Sequence, residues 1–437
     1  MPKFIINGGK KLEGEIRLSG AKNAATKMMV ASLLTAEPCV FTNFPNIGDT
    51  EITAELCRSI GSRISIENNN EEVVLSIHTP EITNSQVLSL SRRNRIPILA
   101  LGPLLARVGE AVVPMLGGDK IGPRPVDIHI NALQAMGAII EVKDNTYVAK
   151  APHGLVGAKV VLRYPSVGAT ENTILAACLA RGRTSIYNAA VEPEILDLIK
   201  MLQQMGAIIE LGANRNIYID GVAKLHGVNY EVMPDRNEAV SFACLAVATN
   251  GKIFVRGARQ DDLITFLNTL RRIGGEYEVG NGGIIFYRQP SHQLRSVVIE
   301  TDTHPGFMTD WQQPVAILLT QATGESTIHE TVYEDRFGYA NDLIAMGADI
   351  SVSSSCLGEN KCHFAGAGFN HSAVINGPRP LHGANLEVRD LRAGIAHVIA
   401  ALTANGTSTI SGIEELDRGY VNLDKRLQAL GADISRI

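Results

Sequence analysis

Six times along the chain a helical stretch ends in the same device: a large apolar residue, then Gly, then in most copies Ala, then a short β-like run. The copies are Ile60-Gly61-Ser62, Met136-Gly137-Ala138, Met205-Gly206-Ala207, Ile273-Gly274-Gly275, Met346-Gly347-Ala348 and Leu430-Gly431-Ala432. Their glycines lie 76, 69, 68, 73 and 84 residues apart. In five copies a Leu stands four positions before the Gly, one helical turn back on the same face. Gly at that point lets a helix leave through a left-handed C-cap into a strand. The period is too long for the common solenoids. One folding unit used six times is the economical reading, and its loops are then the place for function.

The fourth copy shows the unit in order. Arg236–Ala248 has a helical, apolar pattern after Pro234-Asp235, and Lys252–Gly257 reads as a strand. Helical spacing resumes at Asp261–Ile273, and Glu276–Val279 with Ile284–Arg288 reads as a hairpin around Gly280–Gly283. Val297–Glu300 adds a short strand, so the order is β-α-β-α-β-β. Strands equivalent to 252–257 are expected at 39–44, 111–116, 184–188, 326–331 and 407–413, and the polar run 67–72 is expected to be a turn. A chain of 437 residues exceeds the size of one core, so two domains are expected.

Each first helix opens beside polar or charged residues: Lys22-Asn23, Arg92–Arg95, Ser166–Gly168, Asp235-Arg236, Thr309-Asp310 and Asp390–Arg392. Helix N-termini present unpaired N–H groups that attract anions, so added Lys and Arg suit a phosphate or carboxylate. A net charge of −5 argues against a general nucleic-acid binder. The six cysteines form no CxxC pair, and Cys356 with Cys362 has no His or Cys partner at zinc spacing, so neither a disulfide framework nor a metal site is expected. Residues 1–10 lack the apolar core of a signal peptide, and no apolar run is long enough to span a membrane. A cytoplasmic protein without a membrane partner is the resulting expectation.

The segment Gly117–His129 holds three glycines and two prolines within eleven residues, and reads as a lid bringing Asp119 and Lys120 to a substrate. With it stand Ser19–Ala24, Ala100–Leu104, Ser166–Thr170, Glu192–Ile195, Pro234–Arg236, His304–Gly306, Thr309-Asp310, Asp390–Arg392 and Asp417–Tyr420. In these ten blocks, and in their order, the chain resembles the UDP-N-acetylglucosamine 1-carboxyvinyltransferase family of enolpyruvyl transferases. The resemblance implies a two-domain, inside-out α/β barrel fold with three β-α-β-α-β-β repeats per domain. One domain would span 22–233, the other 1–21 with 234–437, and the active site would lie in the cleft between them.

The implied reaction moves the enolpyruvyl group of phosphoenolpyruvate to the 3′-hydroxyl of UDP-N-acetylglucosamine and releases phosphate, the first committed step of peptidoglycan precursor synthesis. It thereby serves cell-wall biogenesis, cell shape and cell division. Phosphoenolpyruvate is a co-substrate, and no cofactor or metal is implied. By the same resemblance Lys22, Arg124, Arg392 and Arg418 clamp phosphoenolpyruvate, Asn23 holds the intermediate, Asp310 is the base and Asp119 the acid. Arg95, Arg124, Pro125, Val126, Asp127, Ile128, Tyr164, Pro165, Ser166, Val167, Gly168, Val332, Asp390 and Leu391 fall at positions touching the substrates.

The chain also departs from its resemblance. Asp119 stands where most of the family carries Cys, which implies resistance to thiol-alkylating epoxides such as fosfomycin. Trp311 stands where Met is common, Tyr164 where some members carry Lys, and Asn237 and Ser241 add polar groups to an apolar helix. Three alternatives therefore remain: an enolpyruvyl transferase for another nucleotide-sugar or nucleoside, the shikimate-pathway enzyme of the same fold, and a non-catalytic UDP-sugar sensor.

Overall fold

The computed structural model describes residues 2–69, 72–91, 94–115, 126–359 and 362–437, with backbone only at 69 and 392. Two compact units result: residues 2–19 with 234–437, and residues 20–115 with 126–233. Asp119, Arg124, Pro125 and the Arg392 side chain lie outside the described residues.

The repeated Gly device is a Schellman cap in all six copies. Gly61, Gly137, Gly206, Gly274, Gly347 and Gly431 have φ between +93° and +127°. In each, the following N–H closes onto the carbonyl four residues before the Gly: Ser62 onto Cys57, Ala138 onto Leu133, Ala207 onto Leu202, Gly275 onto Leu270, Ala348 onto Leu343 and Ala432 onto Leu427, at 2.9–3.1 Å. The apolar residue whose carbonyl is used is itself buried, so one position both packs the helix and ends it.

Among the described residues each unit holds three small sheets. Five of the six share one plan, seen in Val298–Glu300, Gly324–His329, Ser372–Gly377 and Asp349–Ser353. The first strand runs parallel to the second, and the remaining two continue antiparallel. The sixth sheet has three strands, and its parallel neighbour shrinks to one bridge between Gln86 and Val112. The strand Lys3–Asn7 lies between Thr407–Ser411 and Asp433–Arg436, so the two ends of the chain complete one sheet. Asn229–Glu231 likewise pairs with Cys39–Thr42 and completes a sheet of the other unit.

Helices fill the middle of each unit and sheets cover them. Arg236–Ala248 packs on Gln312–Thr320 and Leu391–Thr403. Gln312–Thr320 is buried along its whole length. In the other unit Leu101–Val108 packs on Val167–Ala177 and on the 3-10 turn Ser32–Leu34 that prolongs Lys22–Ala31. The outer helices are amphipathic; Gln260–Ile273 carries Asp261 and Asp262 in its first turn and Arg271 and Arg272 in its last, matching its dipole.

Two expectations need correction. Glu67–Asn69 continue the strand Arg63–Asn69 rather than forming a turn, and Asn69 pairs with Glu72. Trp311 is no feature of an acceptor surface: it is 2% exposed, stacks edge-on with Phe266 and Phe307, and donates Nε1–H to Asn237 Oδ1 at 3.0 Å. That contact also explains Asn237, while Ser241 meets the Tyr420 hydroxyl at 2.8 Å. Asn237 Oδ1 and the Ser241 hydroxyl are therefore buried with hydrogen-bond partners from neighbouring elements.

Candidate active site

In the unit 20–115 with 126–233, Lys22 opens the helix Lys22–Ala31 and places its ammonium 2.7 Å from Asp49 Oδ2. Asn23 follows it on the same half-buried opening. Arg95 precedes the 3-10 turn Ile96–Ala100. Val126 and Asp127 begin the helix Asp127–Ala135, where Asp127 accepts both guanidinium nitrogens of Arg163 at 2.9 Å. Ile128 is buried in the core. Tyr164 and Pro165 lead into Ser166, which caps Val167–Ala177 by accepting the Ala169 N–H at 3.4 Å.

His129 ties these pieces together, although sequence reading used it only as the end of a loop. The Asn172 amide NH2 lies 3.3 Å from Nδ1 and must donate to it, which leaves the proton on Nε2. A Cβ at Gly168 would come 3.0 Å from the ring, so a larger residue there would have to displace the imidazole. Burial, and then the charge of Arg95, depress His129 to about 3 and hold the imidazole neutral. One turn further, Glu171 is buried with Glu192 and Glu194. Burial first, offset by Lys27 and reinforced by Glu194 and Glu192, raises Glu171 to about 7.

In the other unit Asp310 lies in the 3-10 turn Thr309–Trp311, immediately before Gln312–Thr320. Arg336 donates to Asp310 Oδ1, and its Nε faces the Gln313 amide oxygen at 2.8 Å. Arg336 is itself buried; that works against its charge, but Asp310, Asp390 and Glu330 outweigh burial and hold it protonated. Glu330 accepts from Thr309 Oγ1 at 2.8 Å, Gln312 Nε2 at 2.5 Å, and the Val332 and Tyr333 N–H groups at 2.8 and 3.0 Å. A carboxylate with four donors beside a fixed guanidinium is a rigid mount, and Asp310 and Val332 both hang from it.

Asp390 caps Leu391–Thr403 through the Ala393 N–H at 2.9 Å. The Leu391 side chain turns into the core beneath Gly419, where a Cβ would lie 2.5 Å from Leu391 Cδ2. Arg418 pairs with Glu415 at 2.5 Å. Sequence reading missed Arg336 because nothing local marks it; its carboxylate partners Glu330, Asp310 and Asp390 are 6, 26 and 54 residues away. The expectation of no metal-ligand set also needs correction: among the described residues, His329, Cys362 and His371 bring ligand atoms together, a set invisible to spacing because His329 lies 33 residues before Cys362.

The fold places the chain with enolpyruvyl transferases. NikO from Streptomyces tendae superposes with a TM-score of 0.86 at 23% identity, covering 100% of this chain and 98% of that one. EPSP synthase from Acinetobacter baumannii gives 0.70 at 20% identity over the whole of both chains. The family model for EPSP synthase (3-phosphoshikimate 1-carboxyvinyltransferase) matches residues 6–427. The UDP-N-acetylglucosamine 1-carboxyvinyltransferase of Protochlamydia amoebophila is 49% identical over 443 residues, covering 100% of this chain and 95% of its own. That of Chlamydia abortus is 50% identical, covering 98% and 97%. The chain belongs to the UDP-N-acetylglucosamine 1-carboxyvinyltransferase family. Within that family the buried Trp311 is a core substitution, and it no longer speaks for a different acceptor.

Proposed function

We propose that this chain transfers the enolpyruvyl group of phosphoenolpyruvate to the 3′-hydroxyl of UDP-N-acetylglucosamine with release of phosphate, in peptidoglycan precursor synthesis. The observation that carries the proposal is near-full-length identity of about half to relatives of that name. Asp310 takes the sugar hydroxyl proton as the oxygen attacks C2 of phosphoenolpyruvate. A proton is delivered to C3, giving a tetrahedral ketal phosphate; its loss from the methyl group then expels phosphate and regenerates the double bond.

Lys22, Arg124, Arg392 and Arg418 neutralise the phosphate and carboxylate, with Asn23 on the intermediate. Arg95, Pro125, Val126, Asp127, Ile128, Tyr164, Pro165, Ser166, Val167, Gly168, Val332, Asp390 and Leu391 are assigned to the UDP-sugar. Leu391 would act through its backbone, since its side chain is buried. Asp119 supplies the C3 proton, and for that its carboxyl must be raised from an ordinary value of about 3.9 by its surroundings in the complex. No described helix is long and apolar enough to cross a membrane, and both substrates place the reaction in the cytoplasm.

The test is phosphate release from phosphoenolpyruvate with and without UDP-N-acetylglucosamine, beside Asp119→Ala and Asp310→Asn. Acceptor-dependent release that falls by about 10²–10⁴ in each variant is expected, the range for a lost general acid or base. Release only with another nucleotide-sugar, or tight UDP-sugar binding without turnover, would overturn the assignment. Asp119 has no thiol, so fosfomycin should leave the wild type active and inactivate an active Asp119→Cys variant.

A further inference from the structure

We infer that the unit 2–19 with 234–437 binds one structural zinc ion through His329, His371, Cys362 and Cys356, an inference independent of the assigned transfer reaction. The strand Gly324–His329 ends at His329, which pairs with Ser372, so His329 and His371 stack edge-on with centroids 5.2 Å apart. Between Asp349–Ser353 and Ser372–Gly377 lies a long connection whose described residues are 354–359 and 362–371, whereas three other hairpins close within two or three residues. That excursion carries both cysteines. One ligand atom each from His329, Cys362 and His371 lie within 4.8 Å of one another. Cys356 Sγ lies 3.4 Å from His371 Nε2 and hydrogen-bonds the Cys362 thiol.

Both imidazoles are held in the tautomer a metal needs. Ser372 gives its one hydroxyl proton to the Ser355 carbonyl at 2.6 Å, so at 2.8 Å it accepts from His329 Nδ1–H. His371 donates Nδ1–H to the Phe369 carbonyl at 2.7 Å. Each ring therefore turns a bare Nε2 lone pair inward, the outer hydrogen bonds that orient metal-bound histidines. His329 Nε2 is buried and meets no hydrogen-bond partner. Cys362 Sγ accepts the Phe364 N–H at 3.3 Å. Gly358 lies against His329, where a Cβ would come 2.3 Å from Cδ2, so the excursion is seated closely on the ring.

Two sulfurs and two imidazole nitrogens are a tetrahedral zinc set, with ligand-to-ligand edges of roughly 3.3–3.8 Å from bond lengths of about 2.3 and 2.0–2.1 Å. The ion would pin the excursion to the strand end beside Glu330, whose N–H bonds the His371 carbonyl at 2.7 Å.

Metal analysis of the full chain purified from zinc-supplemented culture should find about one zinc per chain, lost in the Cys356→Ser/Cys362→Ser double variant. After chelation, cobalt(II) added to the wild type should give a thiolate charge-transfer band and the intense visible bands of a tetrahedral site. Chelator should lower the Tm of the wild type but not of the variant. Zinc below about a tenth of an equivalent, with no tetrahedral cobalt spectrum, would overturn the inference. So would a wild-type mass lower by the two hydrogens of a Cys356–Cys362 disulfide in metal-free protein.

Discussion

Glu171 is 1% exposed, and its carboxyl is held at about 7, so near neutral pH it carries a proton that it lacks in the unfolded chain. The sign follows from linkage: a raised carboxyl favours folding below its unfolded value of about 4.5, and that contribution is lost as pH rises through about 7. Glu171→Gln should therefore flatten the decline of stability between these values and gain on the order of 3 kcal/mol at pH 8, read from urea midpoints across pH. Arg336 acts through geometry. Arg336→Lys keeps the charge but cannot hold Asp310 and the Gln313 oxygen with one planar fork. We expect kcat to fall by about 10²-fold with KM for UDP-sugar little changed, measured by initial rates. Lys22 and Asp310 could be proposed from the sequence because each sits in a local block of residues. Arg336, His129 and the pair His329–His371 were not, because their meaning arises from contacts that only strand pairing and helix packing create.

At the level of elements, the helix exits were the most legible part of the chain. A left-handed C-cap demands Gly at one position, and that demand is local. Gly431 and Gly61 separate the backbone cost from the steric one. A Cβ at Gly431 meets nothing within 4 Å, so Gly431→Ala should cost about 1 kcal/mol through φ alone. At Gly61 the same Cβ would lie 2.8 Å from the Glu81 carbonyl and 2.7 Å from Thr83 Oγ1, so Gly61→Ala should cost clearly more in thermal or urea unfolding. Helix starts were less legible: 3-10 turns at Ile96–Ala100 and Thr309–Trp311 delay two of them. The polar run 67–69 deceived because Glu67 and Asn68 lie on an exposed stretch of the edge strand Arg63–Asn69, and an exposed strand need not look apolar.

On the scale of the molecule, the described residues of one unit all fall between 20 and 233, whereas the other unit draws on residues 2–19 as well as 234–437. Deleting residues 2–7 removes a central strand and the buried Phe4 and Ile6, each worth about 1.5–3 kcal/mol in burial alone. The unit 234–437 should then be cleaved by a dilute protease while 20–233 survives as a folded core, seen by mass spectrometry of the fragments. The six-fold repeat was visible from the glycines, but not the closure of a sheet by Lys3–Asn7, since five exposed-buried alternating residues name no partner.

That closure sets a timetable. The strand Lys3–Asn7 is synthesised about 400 residues ahead of its neighbours Thr407–Ser411 and Asp433–Arg436. At synthesis rates of about 5–20 residues per second, the first strand waits roughly 20–80 s for its partners. During that interval the intervening segment 20–233 can finish folding, while a short apolar strand stays exposed at the start of the chain. The yield of active enzyme in a growing cell then depends on whatever shelters that strand until translation ends.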